Sequence, residues 1–314
     1  MTLAAAKQEA GRVCPLDYTY APDVFARAAD FSTDTLYVIG GLYGNAEALT
    51  AIETMAARDN ATIVLNGDFH WFDADAGWFA EIERRVASYR AIRGNVETEI
   101  ARDSDIGAGC GCAYPDSVSG DVVARSNDIL ALLQKVTPQA ARARLGALPM
   151  HVVAQVGRLR IGIVHGDAAA LAGWRFAQDE LDNPKRRSWL ADVRSKAQVD
   201  VFASTHTCAA ALRDFALPGG RLTIVNNGAA GMPNFAGYRS GVITRIATTP
   251  SPHKPLYGVI RDGVHIDALA VEYDSKTFIA RFVERWPPGS PAHESYYKRI
   301  ADGPGYTIAQ ARPR

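Results

Sequence analysis

The sequence predicts an α/β fold with a largely parallel sheet, and three observations carry that expectation. Three strand–loop–helix units fill the first hundred residues, their strands end in short polar or glycine-bearing loops, and 47% of the 314 residues are apolar, enough for a sizeable core. A polar leader is expected over residues 1–33. Thr35 to Ile39 is a β-branched and aromatic run that stops at Gly40-Gly41 and is followed by Gly44-Asn45. Ala46, Leu49, Ile52 and Ala56 then recur at helical spacing, so this loop feeds a helix over residues 46–58. Thr62 to Leu65 is a second strand, ending in Asn66-Gly67-Asp68. A helix from about Ala74 to Ser88 leads to a third strand, Tyr89 to Ile92, which ends in Arg93-Gly94-Asn95.

From Thr98 to Ala147 the pattern changes to a glycine–cysteine loop, Gly107 to Cys112, and two helical stretches, Asn127 to Val136 and Pro138 to Leu145. This is expected to be a helical insert at the site. Val152 to Val156 and Leu159 to Val164, parted by Gly157-Arg158, read as a hairpin whose second strand ends in His165-Gly166-Asp167. Helical sequence over Glu180 to Ala197 precedes the strand Val199 to Ala203, which ends in Ser204-Thr205-His206. Leu222 to Val225 is a further strand. Tyr257 to Ile260, His265 to Tyr273 and Thr277 to Val283 are expected as antiparallel strands, and 287–314 as a tail packed on a domain spanning 34–286.

Thirty-four Lys plus Arg balance thirty-four Asp plus Glu, so no global field recruits nucleic acid in bulk or anionic lipid. No apolar stretch reaches the roughly 18 residues of a membrane span. Four cysteines in so long a chain make no disulfide framework, which points to a reducing, cytoplasmic setting.

Asp68, Asn95, His165 and His206 each follow a strand end by one to three residues, on four different strands. Ligand sites of open α/β sheets collect beyond the carboxyl ends of strands. Mixed oxygen and imidazole donors suit Mn, Fe, Ni or Zn. A single histidine in such a loop is ordinarily a hydrogen-bonded structural residue; four such residues in register point to a metal.

Together these loops resemble those of the calcineurin-like metallophosphoesterase family, over about Leu36 to Tyr273. In that family the successive loops carry Asp-x-His, Gly-Asp, Gly-Asn-His, a His before Gly, and Gly-His-x-His. Gly67-Asp68, Gly94-Asn95 with Arg93 before it, and His165-Gly166 match the second, third and fourth, and Leu222 to Pro233 looks like the family's late strand and loop. The resemblance implies a four-layer αββα sandwich of two mixed sheets flanked by helices. It also implies metal-dependent hydrolysis of a phosphoric mono- or diester, on a phosphorylated small molecule or a phosphoprotein, with Asp68, Asn95, His165 and Arg93 in the catalytic set.

The sequence departs from the family at the site. Gly41 and Tyr43 stand for the Asp and His of the first motif, Val96 for the His of the third, and Ser204 for the first His of the last. Carried over by residue, one metal position keeps only Asp68 and His206, while the other keeps Asp68, Asn95 and His165. One divalent ion is therefore expected rather than two. Val96 cannot transfer a proton, a contribution typically worth about 10²- to 10⁴-fold. Gly41, Tyr43, Ser204 and His70 are secondary candidates for the substrate pocket, although His70 also reads as a partly exposed loop residue. Asp167 reads as a ligand-orienting group or as half of a surface ion pair, Cys110 and Cys112 as plain loop residues in preference to soft metal ligands or a redox pair, and Cys208 as small and in the core or near the site.

Two other readings compete. A catalytically inactive relative could bind a phosphorylated ligand or partner without turnover, with Tyr43 stacking on it. Alternatively, Gly40 to Gly44 after a strand, with Asp68 ending the next, resembles a dinucleotide-binding layout, although its glycine spacing is irregular and it leaves Asn95, His165 and His206 unexplained.

Overall fold

The computed structural model describes residues 9–314. Among them, twelve strands form two six-stranded mixed sheets. In chain order the strands are β1 (Phe31–Ser32), β2 (Thr35–Ile39), β3 (Thr62–Asn66), β4 (Arg90–Ile92), β5 (His151–Val156), β6 (Leu159–Val164), β7 (Val201–Ser204), β8 (Ala211–Leu217), β9 (Gly220–Asn226), β10 (Gly241–Ala247), β11 (Pro255–Arg261) and β12 (Val264–Val271). One sheet runs β11-β12-β10-β2-β3-β4 and the other β1-β5-β6-β7-β9-β8. Within the first, β2, β3 and β4 are parallel and β10 closes on β2 antiparallel; within the second, β6, β7 and β9 are parallel.

The alternation of side chains along each strand builds the layers. In β2, Leu36 and Val38 face the second sheet and pack with Ile161, Ile163, Val201 and Val225. Tyr37 and Ile39 face the other way, into helices that include Ala46–Asp59, Ala76–Val86 and Ser275–Arg285. On the far side, Phe202 and Ile224 pack against Leu190 and Val193 of the helix Arg187–Ala197. The result is the expected αββα sandwich, with a shared apolar layer between the sheets.

Several elements differ from expectation. Thr277 to Val283 lies in the helix Ser275–Arg285, not a strand: Asp274 caps it by accepting from the Lys276 and Thr277 amides, and Phe278 and Phe282 bury one face at helical spacing. The strands β8 and β10 had no counterpart in the sequence reading, because their short runs include Arg213 and Arg245, which are buried by pairing with Asp182 and Asp59. Residues 287–314 include a helix, Pro291–Asp302, whose Ala292 and Ile300 enter the core. The first eight residues of the expected leader lie outside the described residues; from there on Tyr18 and Phe25 are fully buried. The helices Gly120–Val136 and Gln139–Ala147 of the insert put Ile129, Leu133 and Leu145 into the first sheet's outer core. Among the described residues no helix is long and apolar enough to cross a membrane.

Arg245 of β10 is fully buried and donates to Asp59, the last residue of the helix Ala46–Asp59, at 3.1 Å and to Asp267 of β12 at 3.3 Å. Removing one member of such a pair strands the other charge in a low-dielectric interior. Arg245→Ala is expected to lower the unfolding free energy by about 3–5 kcal/mol in urea titration, and a loss below about 1 kcal/mol would show that the carboxylates find other partners.

Candidate metal centre and pocket

Four strand ends meet at one edge of the sandwich, two from each sheet. Asp68 follows β3 and Asn95 follows β4, while His165 follows β6 and His206 follows β7. Close approach demands glycine in two of these loops. At Gly67, with φ of +75°, a Cβ would lie 2.5 Å from the Gly94 nitrogen and 2.6 Å from His165 Nδ1; at Gly94 it would lie 2.5 Å from Asp68 Oδ1. Asp68 itself is left-handed at φ +53°, a conformation that Asp adopts more readily than most residues.

A buried carboxylate locks the two loops of the first sheet together. Glu97 accepts from the backbone amides of Asp68 at 2.8 Å, Phe69 at 3.0 Å and Gly94 at 2.8 Å. It is the third residue of the helix Asn95–Ala101, so the acceptor that caps the helix also clamps the Asp68 loop. Burial, and then the neighbouring Asp68 carboxylate, push the Glu97 pKa up.

The orientation of the other three donors, His165, His206 and Asn95, is set by a hydrogen bond on the outer side of each. His165 Nδ1 faces the Asn66 carbonyl across the sheet interface at 2.9 Å, and His206 Nε2 faces the Cys112 carbonyl at 3.0 Å. A carbonyl only accepts, so both outer ring nitrogens carry hydrogen. The Asn95 amide donates to the Cys110 carbonyl at 2.9 Å, which turns its oxygen inward. Inside, His165 Nε2 lies 3.0 Å from Asn95 Oδ1, 3.1 Å from His206 Nδ1 and 3.4 Å from Asp68 Oδ1. Four lone-pair atoms thus face one another, and the ligand atoms of Asp68, His165 and His206 all lie within 4.8 Å of one another.

Such a cluster of acceptors repels itself unless a proton or a cation enters it. Without a cation the proton belongs on His165: burial opposes its charge, but Asp68 beside it raises its pKa. Burial and the neighbouring His165 then depress His206 to about 3. Two imidazoles and an amide oxygen, each with an outer hydrogen-bond partner, together with the Asp68 carboxylate are a donor set that fits a divalent transition ion.

Above the cluster opens a cavity of about 160 Å³. Tyr43, Trp71, Tyr114, Trp174, Met232 and Tyr296 form its walls, with Asp68, Asn95 and His206 at the base and Arg299 also lining it. The sequence reading did not single out Glu97, Trp174, Tyr296 or Arg299. The glycine–cysteine loop of the insert supplies Cys112 and Tyr114, and Cys208 also lines the wall.

Other candidates fall elsewhere. Tyr43, left-handed at φ +54°, folds its ring over Gly41: a Cβ there would lie 2.8–3.0 Å from the phenol. The Tyr43 hydroxyl is held by Cys208 Sγ at 2.6 Å. Ser204 turns away from the cavity and donates to the Gly166 carbonyl at 2.6 Å. His70 is not a partly exposed loop residue: it is fully buried, stacked on Phe79, with its ring nitrogens 2.6 Å from Asp73 and 3.2 Å from Glu83. Arg93 points out of the site and donates to the Gly146 carbonyl at 2.9 Å. Asp167 is a buried loop anchor, accepting from the Ala169, Ala170 and Arg175 amides. The Gly40–Gly44 loop is buried, its Gly40 and Gly41 carbonyls bonded to the Ala230 and Gly231 amides, which leaves no open surface for a dinucleotide pyrophosphate.

No family model matches this chain, and no curated protein sequence matches it. Among solved structures it is similar to a hypothetical protein from Pyrococcus horikoshii OT3, with 18% identity over 86% of this chain and 99% of that one and a TM-score of 0.58. It is likewise similar to a metallophosphoesterase from Sphaerobacter thermophilus, with 17% identity, the same coverage of 86% and 99%, and a TM-score of 0.56. The chain has the calcineurin-like metallophosphoesterase fold.

The His70 cluster sets a pH dependence of stability. Burial works against the His70 charge, but Asp73 and Glu83 outweigh it and hold its pKa at about 9, above the ordinary 6.5. A raised folded-state pKa stabilises fully below about pH 6.5 and is lost as pH rises through about 9, for a total of roughly 3 kcal/mol. Urea midpoints measured from pH 6 to 9.5 should therefore fall more steeply for the native chain than for His70→Gln, and parallel curves would refute the charge assignment.

Proposed function

We propose that this pocket hydrolyses a phosphoric ester with one divalent transition ion, Mn, Fe, Ni or Zn, held by Asp68, Asn95, His165 and His206. The observation that carries the reading is the convergence of buried lone pairs from four side chains, three of which, on Asn95, His165 and His206, are aimed inward by a hydrogen bond on the far side. When bound, such an ion supplies Lewis-acid polarisation of a phosphoryl oxygen and makes water more acidic. The fold supports the reaction class.

The chain's own residues define the rest. His165 and His206 are held as lone-pair donors by Asn66 and Cys112, and Glu97 keeps Asp68 in its left-handed loop. The Tyr43 ring covers Gly41, where the family places the carboxylate of a second ion, which supports a single ion. Hydrolysis forms a P–O bond to water, breaks the ester P–O bond and leaves a proton for the departing oxygen. Val96 stands at the family's proton-donor position and His206 Nε2 is already committed to Cys112, so that proton comes from solvent. Esters with acidic leaving groups are the fitting substrates. The cavity, about 160 Å³, suits a small phosphorylated molecule better than a folded phosphoprotein surface. Four free thiols fit a reducing, cytoplasmic setting.

A second reading, a catalytically inactive relative that binds a phosphorylated ligand, draws on the same two residues, Tyr43 and Val96. Elemental analysis of protein purified without chelators is expected to give about one transition ion per chain, reduced at least tenfold in Asp68→Ala together with turnover of an aryl phosphate. Metal retained by Asp68→Ala would sink the site. A single bound ion with no turnover on any activated ester would move the assignment to the binding protein, and two ions per chain would sink the role given to Tyr43.

A further inference from the structure

The helix Pro291–Asp302 brings two residues to the cavity, Tyr296 and Arg299, three apart and therefore on one face. Arg299 is the only cation among the described residues lining the cavity, and Asp68 the only carboxylate. Its guanidinium is held rather than neutralised. Nε donates to the Pro233 carbonyl at 3.0 Å and Nη2 to the Cys208 carbonyl at 2.9 Å, and among the described residues no carboxylate pairs with it. A guanidinium has five N–H donors in a fixed fork, so three remain for a ligand. A tethered, half-buried arginine without a counter-ion is an anion site, and its planar fork matches phosphoryl oxygens.

The walls state the other half of the ligand. Trp174 is fixed by its indole N–H on the Cys112 carbonyl at 3.0 Å, the same oxygen that holds His206. Its ring meets Tyr114 at 5.9 Å and His206 at 5.4 Å between centroids. With Trp71, Tyr43 and Tyr296 this makes a wall of flat, weakly polar rings, and Met232 adds a flexible apolar thioether beside them. An engineered cavity of roughly 150 Å³ takes up a single benzene ring, close to the 160 Å³ here. Sugars and peptides would leave their hydroxyls and amides unpaired against such walls.

We infer that Arg299 anchors the anionic group of the substrate and that the aromatic wall selects an ester bearing one flat, uncharged ring, an aryl phosphate in chemical class. This deepens the hydrolase reading and rests on it for the reaction, but not for the binding. The test is equilibrium binding to the metal-loaded full chain, read by the fluorescence of Trp71 and Trp174, with phenylphosphonate and methylphosphonate as non-hydrolysable probes. Phenylphosphonate is expected to bind roughly 10- to 100-fold more tightly than methylphosphonate. Arg299→Gln should weaken both by about 10- to 100-fold with their ratio unchanged. Trp174→Leu should bring the ratio toward one while leaving methylphosphonate little changed.

Should Arg299→Gln lose its thermal transition, Arg299→Lys keeps the cation without the fork and is expected to bind between the two. No binding to the native chain, a ratio near one, or full affinity in a folded Arg299→Gln would overturn the inference. Arg299-dependent binding with no turnover of phenyl phosphate would sink the hydrolase reading alone. Turnover of phenyl phosphate unchanged by Arg299→Gln would sink the Arg299 assignment alone.

Discussion

The hydrogen bond from His165 Nδ1 to the Asn66 carbonyl, 2.9 Å long, joins the two sheets at the edge where the site lies. His165 belongs to one sheet and Asn66 to the other, so the bond forms only when the apolar layer between them has closed. Leu36, Val38, Ile161 and Ile163 in that layer bring the strand ends together, and glycine at positions 67 and 94 lets the loops pass within contact distance. Every further feature of the centre follows from that approach. The imidazole is turned so that its free nitrogen meets Asn95, Asp68 and His206.

Buried polar groups are tolerated only when satisfied, and the outer shell of this centre meets that requirement with backbone atoms. Glu97 collects three amides, while the carbonyls of Asn66, Cys110 and Cys112 take the outward hydrogens. On the inward side four lone-pair atoms share a single proton, carried by His165. That is the one point in the centre where a cation could take the proton's place.

The loop beside the centre is closed by its own side chain. At Gly41 and Tyr43 no void is left, because the phenol folds back over the glycine and is tied to Cys208. Tyr43 therefore both fills the space above Gly41 and supplies an aromatic wall. The helix Pro291–Asp302 adds charge of the opposite sign, since Arg299 places a cation in a cavity where Asp68 is the only carboxylate among the described residues.

The strands that lead to the site, β2, β3, β4, β6 and β7, and the placing of Asp68, Asn95, His165 and His206 just beyond strand ends were legible from residue type and period alone, because strand ends announce themselves locally by glycine and by the stop of an apolar run; β8 and β10 were not, and Thr277 to Val283 is helical. The αββα architecture came from the resemblance of those loops to a known family, and the structure bears it out. Side-chain direction was not legible. Ser204 and Arg93 stand beside the centre in sequence, yet each turns to a carbonyl elsewhere. His70 looked exposed and is buried in an ion pair with Asp73. Glu97, Trp174, Tyr296 and Arg299 were invisible because their partners lie far along the chain; Arg299, for instance, is held by the carbonyls of Cys208 and Pro233. Local pattern determined which residues reach the edge of the sheets. Which of their atoms face inward was decided only by long-range hydrogen bonds that exist once the two sheets have packed.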